Sequence, residues 1–151
     1  MIERIVSGGQ TGVDRAALDV ALERGIPCGG WCPSGRLAED GPIDPKYPLI
    51  ETPSSDYAER TRWNVRDSDG TLILTWGPPA DGTAFTIECA QELGKPHLVV
   101  NLQDPVDFGA ISAWLHQYRI AVINIAGPRA SKAPQIYYAA KSTLSNLLES
   151  I

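Results

Sequence analysis

The chain has 151 residues, 43% hydrophobic and 21% charged, with a formal net charge of -5. That length suits one domain over 1–151, and the apolar content is too high for a disordered chain. The negative balance argues against a nucleic-acid-binding face, and no run approaches the roughly 20 apolar residues that cross a bilayer, so neither partner is expected.

Ile2 to Ser7 is a short apolar run ending in glycines, the pattern of a buried parallel strand entered directly after Met1. Over Val13 to Arg24, the residues Val13, Ala16, Ala17, Val20 and Ala21 recur at helical spacing and Gly25 supplies a stop. A second strand is expected over Ile26 to Trp31, weakened by its two glycines. Pro33 to Pro48, rich in Gly, Pro and charge, reads as a loop. Tyr57 to Arg66 reads as a helix capped by Ser55 or Asp56, and Gly70 to Trp76 as a central strand. A helix over Thr83 to Leu93 with Gly94 as its stop, and a strand over His97 to Asn101, come next. A helix from about Pro105 to Tyr118 and a strand over Ile120 to Ala126 complete the alternation. In the last segment Ile136, Ala140, Leu144, Leu147, Leu148 and Ile151 form one helical stripe, which reads as core packing. Alternating strands and helices predict an α/β, Rossmann-like three-layer sandwich, a parallel sheet of about five strands with helices on both faces.

Two glycine-threonine turns lie at strand-to-helix junctions, Gly8-Gly9-Gln10-Thr11-Gly12 and the stretch from Gly77 through Gly82 and Thr83 to Thr86. In such sheets ligands bind beyond the carboxyl ends of the strands, where helix N-termini present free N–H groups and partial positive charge. The pair predicts a pocket for a small phosphorylated ligand. The first turn spells neither GxGxxG nor a P-loop, which removes most support for a dinucleotide enzyme or an ATPase. Thr11 and Asp14 have capping-box spacing, and Thr83 and Thr86 could cap the second helix; capping alone is the bland alternative at both turns.

Arginine forks suit phosphate, and Arg60, Arg62 and Arg129 sit where their segments should converge near the glycine turns; for Arg62 a solvated position is an equal alternative. Arg36, Glu39 and Asp40 lie in the long loop, which could close over the pocket. Trp31 and Trp76 end strands and read as core before they read as stacking platforms. Cys28 and Cys32 are spaced CxxxC rather than CxxC, so with Cys89 they read as structural thiols in a reducing compartment, and a cytoplasmic location is expected. His97 and His116 show no catalytic setting, Asp14 is first a cap, and no metal constellation is visible.

The segments Gly8 to Asp14, Cys32 to Gly41, Arg66 to Ile73, Gly82 to Thr86, Lys95-Pro96 and Gly127 to Ser131 together resemble the molybdenum-cofactor carrier family over nearly the whole chain. That family lies within the SLOG group, which also holds the cytokinin-activating phosphoribohydrolases. The resemblance implies a binding protein for molybdenum cofactor, a phosphorylated pterin bearing molybdenum. It also implies a homo-oligomer, dimer or tetramer, that serves molybdoenzymes or cofactor-insertion proteins. The candidate ligand-binding set is Gly8, Gly9, Gln10, Thr11, Gly12, Arg36, Arg60, Gly77, Gly82, Thr83, Thr86 and Arg129, with no catalytic residue. The related hydrolases carry PGGxGTxxE, whose glutamate falls at Thr86 here. Glu88 stands roughly 200° further round the helix and should not replace it. Turnover of a nucleotide by Asp14, Asp81 or Glu88, or sensing of a nucleotide derivative, remain the alternatives.

Overall fold

The computed structural model describes residues 1–151. The chain opens with β1 (Arg4–Val6), crosses through α1 (Val13–Arg24) and returns as β2 (Cys28–Gly29). Four short strands follow, β3 (Trp31–Cys32), β4 (Leu37–Ala38), β5 (Gly41–Pro42) and β6 (Ile50–Glu51), before α2 (Tyr57–Arg66). The second half alternates as β7 (Gly70–Thr75), α3 (Asp81–Glu92), β8 (His97–Asn101), α4 (Phe108–Gln117), β9 (Val122–Ala126) and α5 (Ile136–Ser150).

Strands β2, β1, β9, β7 and β8 lie side by side in that order, all parallel, so the α/β Rossmann-like layout is the one expected. Taken cyclically from β9, the spatial order becomes third, second, first, fourth, fifth, that of an ordinary doubly wound sheet. The last β-α unit therefore occupies the centre of the sheet. The winding direction switches between β9 and β7, which is where such sheets bind ligands.

Alternation across the strands divides the two faces. Ile5, Leu72, Leu74, Ile123 and Ile125 join the apolar stripes of α1, α4 and α5 in the main core. Within α5 the stripe of Ile136, Ala140, Leu144 and Leu147 is buried, while Ile151 is exposed. The other face carries Thr71, Thr75 and Asn124, and the cluster between α2 and α3 is only Val65, Cys89 and Ala90. One face is filled with hydrocarbon and the other is polar beneath its helices.

Two segments depart from expectation. Ile26 to Trp31 is not one strand, because the chain turns at Gly30 with φ of 134° and β3 leaves the main sheet to pair with β6. Asn64 of α2 takes the place of a neighbouring strand: its Oδ1 accepts from Trp31 N–H at 2.7 Å and its Nδ2 donates to Trp31 C=O at 2.9 Å. Asn64→Ala removes both bonds from a buried site and should lower stability by about 2 kcal/mol, read as a shift of the urea midpoint at constant m-value. Pro33 to Pro48 is not plain loop, since β4 and β5 form an antiparallel hairpin over a second small core of Leu18, Cys32, Ala38, Ile43, Tyr47 and Leu49. Arg36 supplies the order that composition hides. Its guanidinium donates to the carbonyls of Ile43, Asp44, Tyr47 and Leu49, satisfying backbone groups that no ladder reaches.

Candidate functional site

A cavity of about 500 Å³ opens at the carboxyl ends of β1, β9 and β7 and extends under α2 and α3. It occupies the switch point that the strand order defines. Its floor is neutral and polar, with Thr75 and Asn124, and its outer wall is apolar, with Trp76, Pro78, Pro79 and Phe85. Charge enters from Asp14, Arg60, Asp81, Arg129 and Lys132.

Of the expected residues, Gly8, Gln10, Arg60, Gly82, Thr83, Thr86 and Arg129 line this cavity. Arg60 is 8% exposed and lies directly on the first turn, with Nη1 donating to Gly8 C=O at 2.9 Å and standing 3.8 Å from Asp14 Oδ2. Its Nε donates to Thr61 Oγ1 at 3.2 Å, and Tyr57 supplies a ring face 5.0 Å from the guanidinium carbon. A Cβ on Gly8 would run into this guanidinium, so the glycine is needed for the approach of Arg60.

The first turn keeps most of its own N–H groups occupied. Gly9 N–H donates to Ser7 Oγ, Gln10 N–H to Asp14 Oδ2, Thr11 N–H to Gln10 Oε1 and Val13 N–H to Pro128 C=O. The Thr11–Asp14 capping box, the bland alternative for this turn, does not form; Gly12 is the cap residue, and Thr11 Oγ1 bonds Glu39 and Ala130 instead. Gly9 backs on Ile43 and Leu49 of the hairpin core, and Gly12 packs against Pro128. The contribution of this turn to the cavity is thus made by side chains. Gln10 Oε1 accepts from the N–H groups of Thr11 and Glu39 at 3.0 and 2.8 Å, which fixes the amide so that Nε2 is the free end. That Nε2 is buried without a partner.

The second turn is more open. The N-cap Ala80 makes no side-chain cap bond, Asp81 holds a φ of 49°, and nothing lies within 4 Å of the space a Gly82 Cβ would take. Thr83 lines the cavity, whereas the Thr86 hydroxyl donates back to Gly82 C=O at 3.0 Å. Gly77 turns away toward β8, donating to Asn101 Oδ1. Arg36 is spent inside the hairpin, and Arg62 pairs with Glu92 at 2.9 Å, so neither reaches the cavity. Trp76 lines it, while Trp31 bonds Asp67 outside. Glu88 is exposed and lies outside the lining.

Thr75, Asn124, Lys132 and Tyr57 also line the cavity, although no motif in the sequence marks them. One carries a legible signal: Asn124 interrupts the otherwise apolar strand β9 at Ile123-Asn124-Ile125, whereas Thr75 merely ends β7. Asn124 Nδ2 donates to Thr71 Oγ1 at 3.3 Å, and Thr75 Oγ1 is buried with no partner. Asp14 is the most perturbed group in the cavity. Burial pushes its carboxyl up to about 6, against the pull of Arg60, the Gln10 N–H and Arg15.

The model of the circularly permutated YpsA SLOG family matches residues 5–148. The central place of the C-terminal β9–α5 unit is what such a permutation produces. Among solved structures, the chain is similar to a proposed molybdenum carrier protein from Syntrophus aciditrophicus SB. The two share 48% identity and a TM-score of 0.94, over 97% of this chain and 95% of the other. No curated protein matches.

Proposed function

The chain belongs to the circularly permutated YpsA SLOG family, and from that premise we propose that it binds a phosphorylated pterin such as molybdenum cofactor and carries it rather than transforms it. The observation behind this reading is the set of donors left without protein acceptors in one cavity. Gln10 Nε2 and Thr75 Oγ1 are buried and unpaired, and the Arg60 guanidinium has only part of its fork engaged. Each buried orphan costs about 1–3 kcal/mol unless a ligand satisfies it. An oxygen-rich anion supplies such acceptors, and the start of α3 with Arg129 and Lys132 favours its charge. Trp76, Pro78, Pro79 and Phe85 give the cavity apolar lining that suits a ring, and about 500 Å³ is ample for a drug-sized ligand. None of the three cysteines lines the cavity, so the protein would hold the organic part of the cargo and leave the metal to the cofactor's own sulfurs. In this reading the protein works as a homo-oligomer in the cytoplasm and passes the cofactor to molybdoenzymes or their insertion partners.

Titration of the pure protein with molybdenum cofactor should give saturable binding tighter than that of GMP or AMP. Absence of saturable binding, or equal affinity for unrelated nucleotides, would refute the carrier reading. Thr75→Val tests the orphaned hydroxyl separately. It should stabilise the unliganded protein by about 1 kcal/mol and weaken the bound ligand about tenfold, since the variant removes a group that only the ligand satisfies.

Asp14 favours a second reading. A carboxyl lifted to about 6 inside a phosphate-type pocket is suited to proton transfer, so it can stand in for the missing glutamate in cleaving a nucleotide. Incubation with nucleoside monophosphates should release free base under this reading and leave them intact under the first.

A further inference from the structure

We propose that Glu39, which the cavity itself does not include, is the positioning residue of the anion site, acting through Gln10 and Arg129. This rests on reading the cavity as an anion site. Glu39 lies at the turn between β4 and β5 and joins three segments that are far apart in the chain. Its Oε1 accepts from Thr11 Oγ1 at 2.5 Å and from Ser131 N–H at 3.0 Å, and its Oε2 accepts from Ser131 Oγ at 2.5 Å. Arg129 Nε stands 3.5 Å from that same Oε2. The carboxylate therefore ties the β1–α1 turn to the β9–α5 loop, and its backbone N–H donates to Gln10 Oε1 at 2.8 Å.

Both ties act on groups that line the cavity. Without those bonds the Gln10 amide would be free to turn, and a ligand would have to order it on binding. Gln10 Oε1 accepts from the backbone N–H groups of Thr11 and Glu39. The Glu39 carboxylate keeps those two backbones in register by bonding Thr11 Oγ1 and Ser131, so losing the carboxylate loosens the amide through the β4–β5 turn. Arg129 is 39% exposed in its side chain, so without a partner its guanidinium would range through solvent. Pairing its Nε edge with Glu39 leaves the terminal nitrogens as the donors available to the cavity. The hairpin is itself held in place, since the Arg36 guanidinium donates to the carbonyls of Ile43, Asp44, Tyr47 and Leu49. It can bear on the site.

Charge and positioning predict opposite signs. Glu39 is an anion beside an anion site, so removing its charge should, by relief of Coulomb repulsion alone, tighten a phosphate ligand. If Glu39 acts by holding Gln10 and Arg129, removing it weakens the ligand in spite of that gain. The test is calorimetric titration of the full chain with GMP and with inorganic pyrophosphate, comparing wild type, Glu39→Gln and Asp40→Asn. The side-chain amide signals of Gln10 are followed by ¹⁵N NMR without ligand. We expect Glu39→Gln to bind about tenfold more weakly while it remains folded, Asp40→Asn to bind no more weakly than wild type, and the Gln10 signals to shift in Glu39→Gln. Unchanged or tighter binding in folded Glu39→Gln, or unmoved Gln10 signals, overturns the positioning role. Should neither anion bind the wild type, the anion-site reading falls, and the Gln10 signals still decide whether Glu39 sets that amide.

Discussion

Arg60→Met is expected to cost about 2–3 kcal/mol of stability at pH 7 and to weaken a phosphorylated ligand by roughly a hundredfold. Arg60 is 8% exposed, so solvent screens little of its interaction with Asp14. Truncation leaves Asp14 buried with no cation at 3.8 Å and leaves Gly8 C=O without its donor. The size of the loss should depend on pH in a defined direction. Without Arg60 the carboxyl of Asp14, already lifted to about 6 by burial, moves further up and takes a proton near neutrality. Below about pH 5 Asp14 carries that proton in both proteins, and the penalty for an unpaired charge disappears. Urea unfolding at pH 7 and pH 5 checks this, with Arg60→Lys as the variant that keeps the charge and loses the fork. Equal stability of wild type and Arg60→Met at pH 7 would sink the argument, as would a loss that is the same at both pH values.

The fold is legible in the sequence because the two periodicities are clean where the core is apolar. The α1 and α5 stripes each match one face of a helix, the unbroken run Thr71 to Thr75 matches a strand buried on both faces, and strand-helix alternation leaves few topologies. The insertion of β9 at the centre of the sheet is not legible, because no local pattern records which strands become neighbours. The hairpin is hidden for a related reason: a segment short of apolar residues is ordered by the Arg36 guanidinium on four carbonyls, and that depends on the fold rather than on periodicity. Within the site the split is similar. Gln10 and Arg60 stand out as side chains near glycine turns, and both line the cavity. Arg36 joins them on chemistry alone, since a guanidinium suits carbonyls as well as phosphates. Asn124 escapes notice because it sits inside an apolar strand, where a polar residue is first taken as a tolerated exception, and Thr75 because a threonine at a strand end is ordinary. Their shared face of the sheet becomes visible only when β9 is seen beside β7.

Asp14→Asn should abolish a pH dependence that the wild type shows between about pH 4 and pH 6. The folded carboxyl titrates at about 6 against an ordinary value of 3.8, so over that window the folded protein holds a proton that the unfolded chain has lost. Stability from this group is fully present below about pH 4 and is lost as pH rises through about 6. A rise from 3.8 to about 6 corresponds to about 3 kcal/mol. The groups that bear on Asp14 are Arg60 from α2, Arg15 from its own helix and the Gln10 N–H, all of which oppose the effect of burial without cancelling it. Glu39 and Asp40 act in the opposite sense. Hydrogen bonds and arginines hold them below the usual carboxylate range, so their contribution is present above about pH 4 and fades only in more acid solution. The two windows can be separated by plotting the stability difference between wild type and Asp14→Asn against pH. That difference should fall by about 3 kcal/mol from pH 4 to pH 6.5 and then level off; a flat line would mean that Asp14 titrates normally. The same variant is the control for Arg60. In an Asp14→Asn background no buried carboxylate is stranded when Arg60 is lost, so Arg60→Met should cost at most about 1 kcal/mol, the value of its bond to Gly8 C=O. A cost as large as in the wild-type background would show that the Arg60–Asp14 pair is not what holds the first turn.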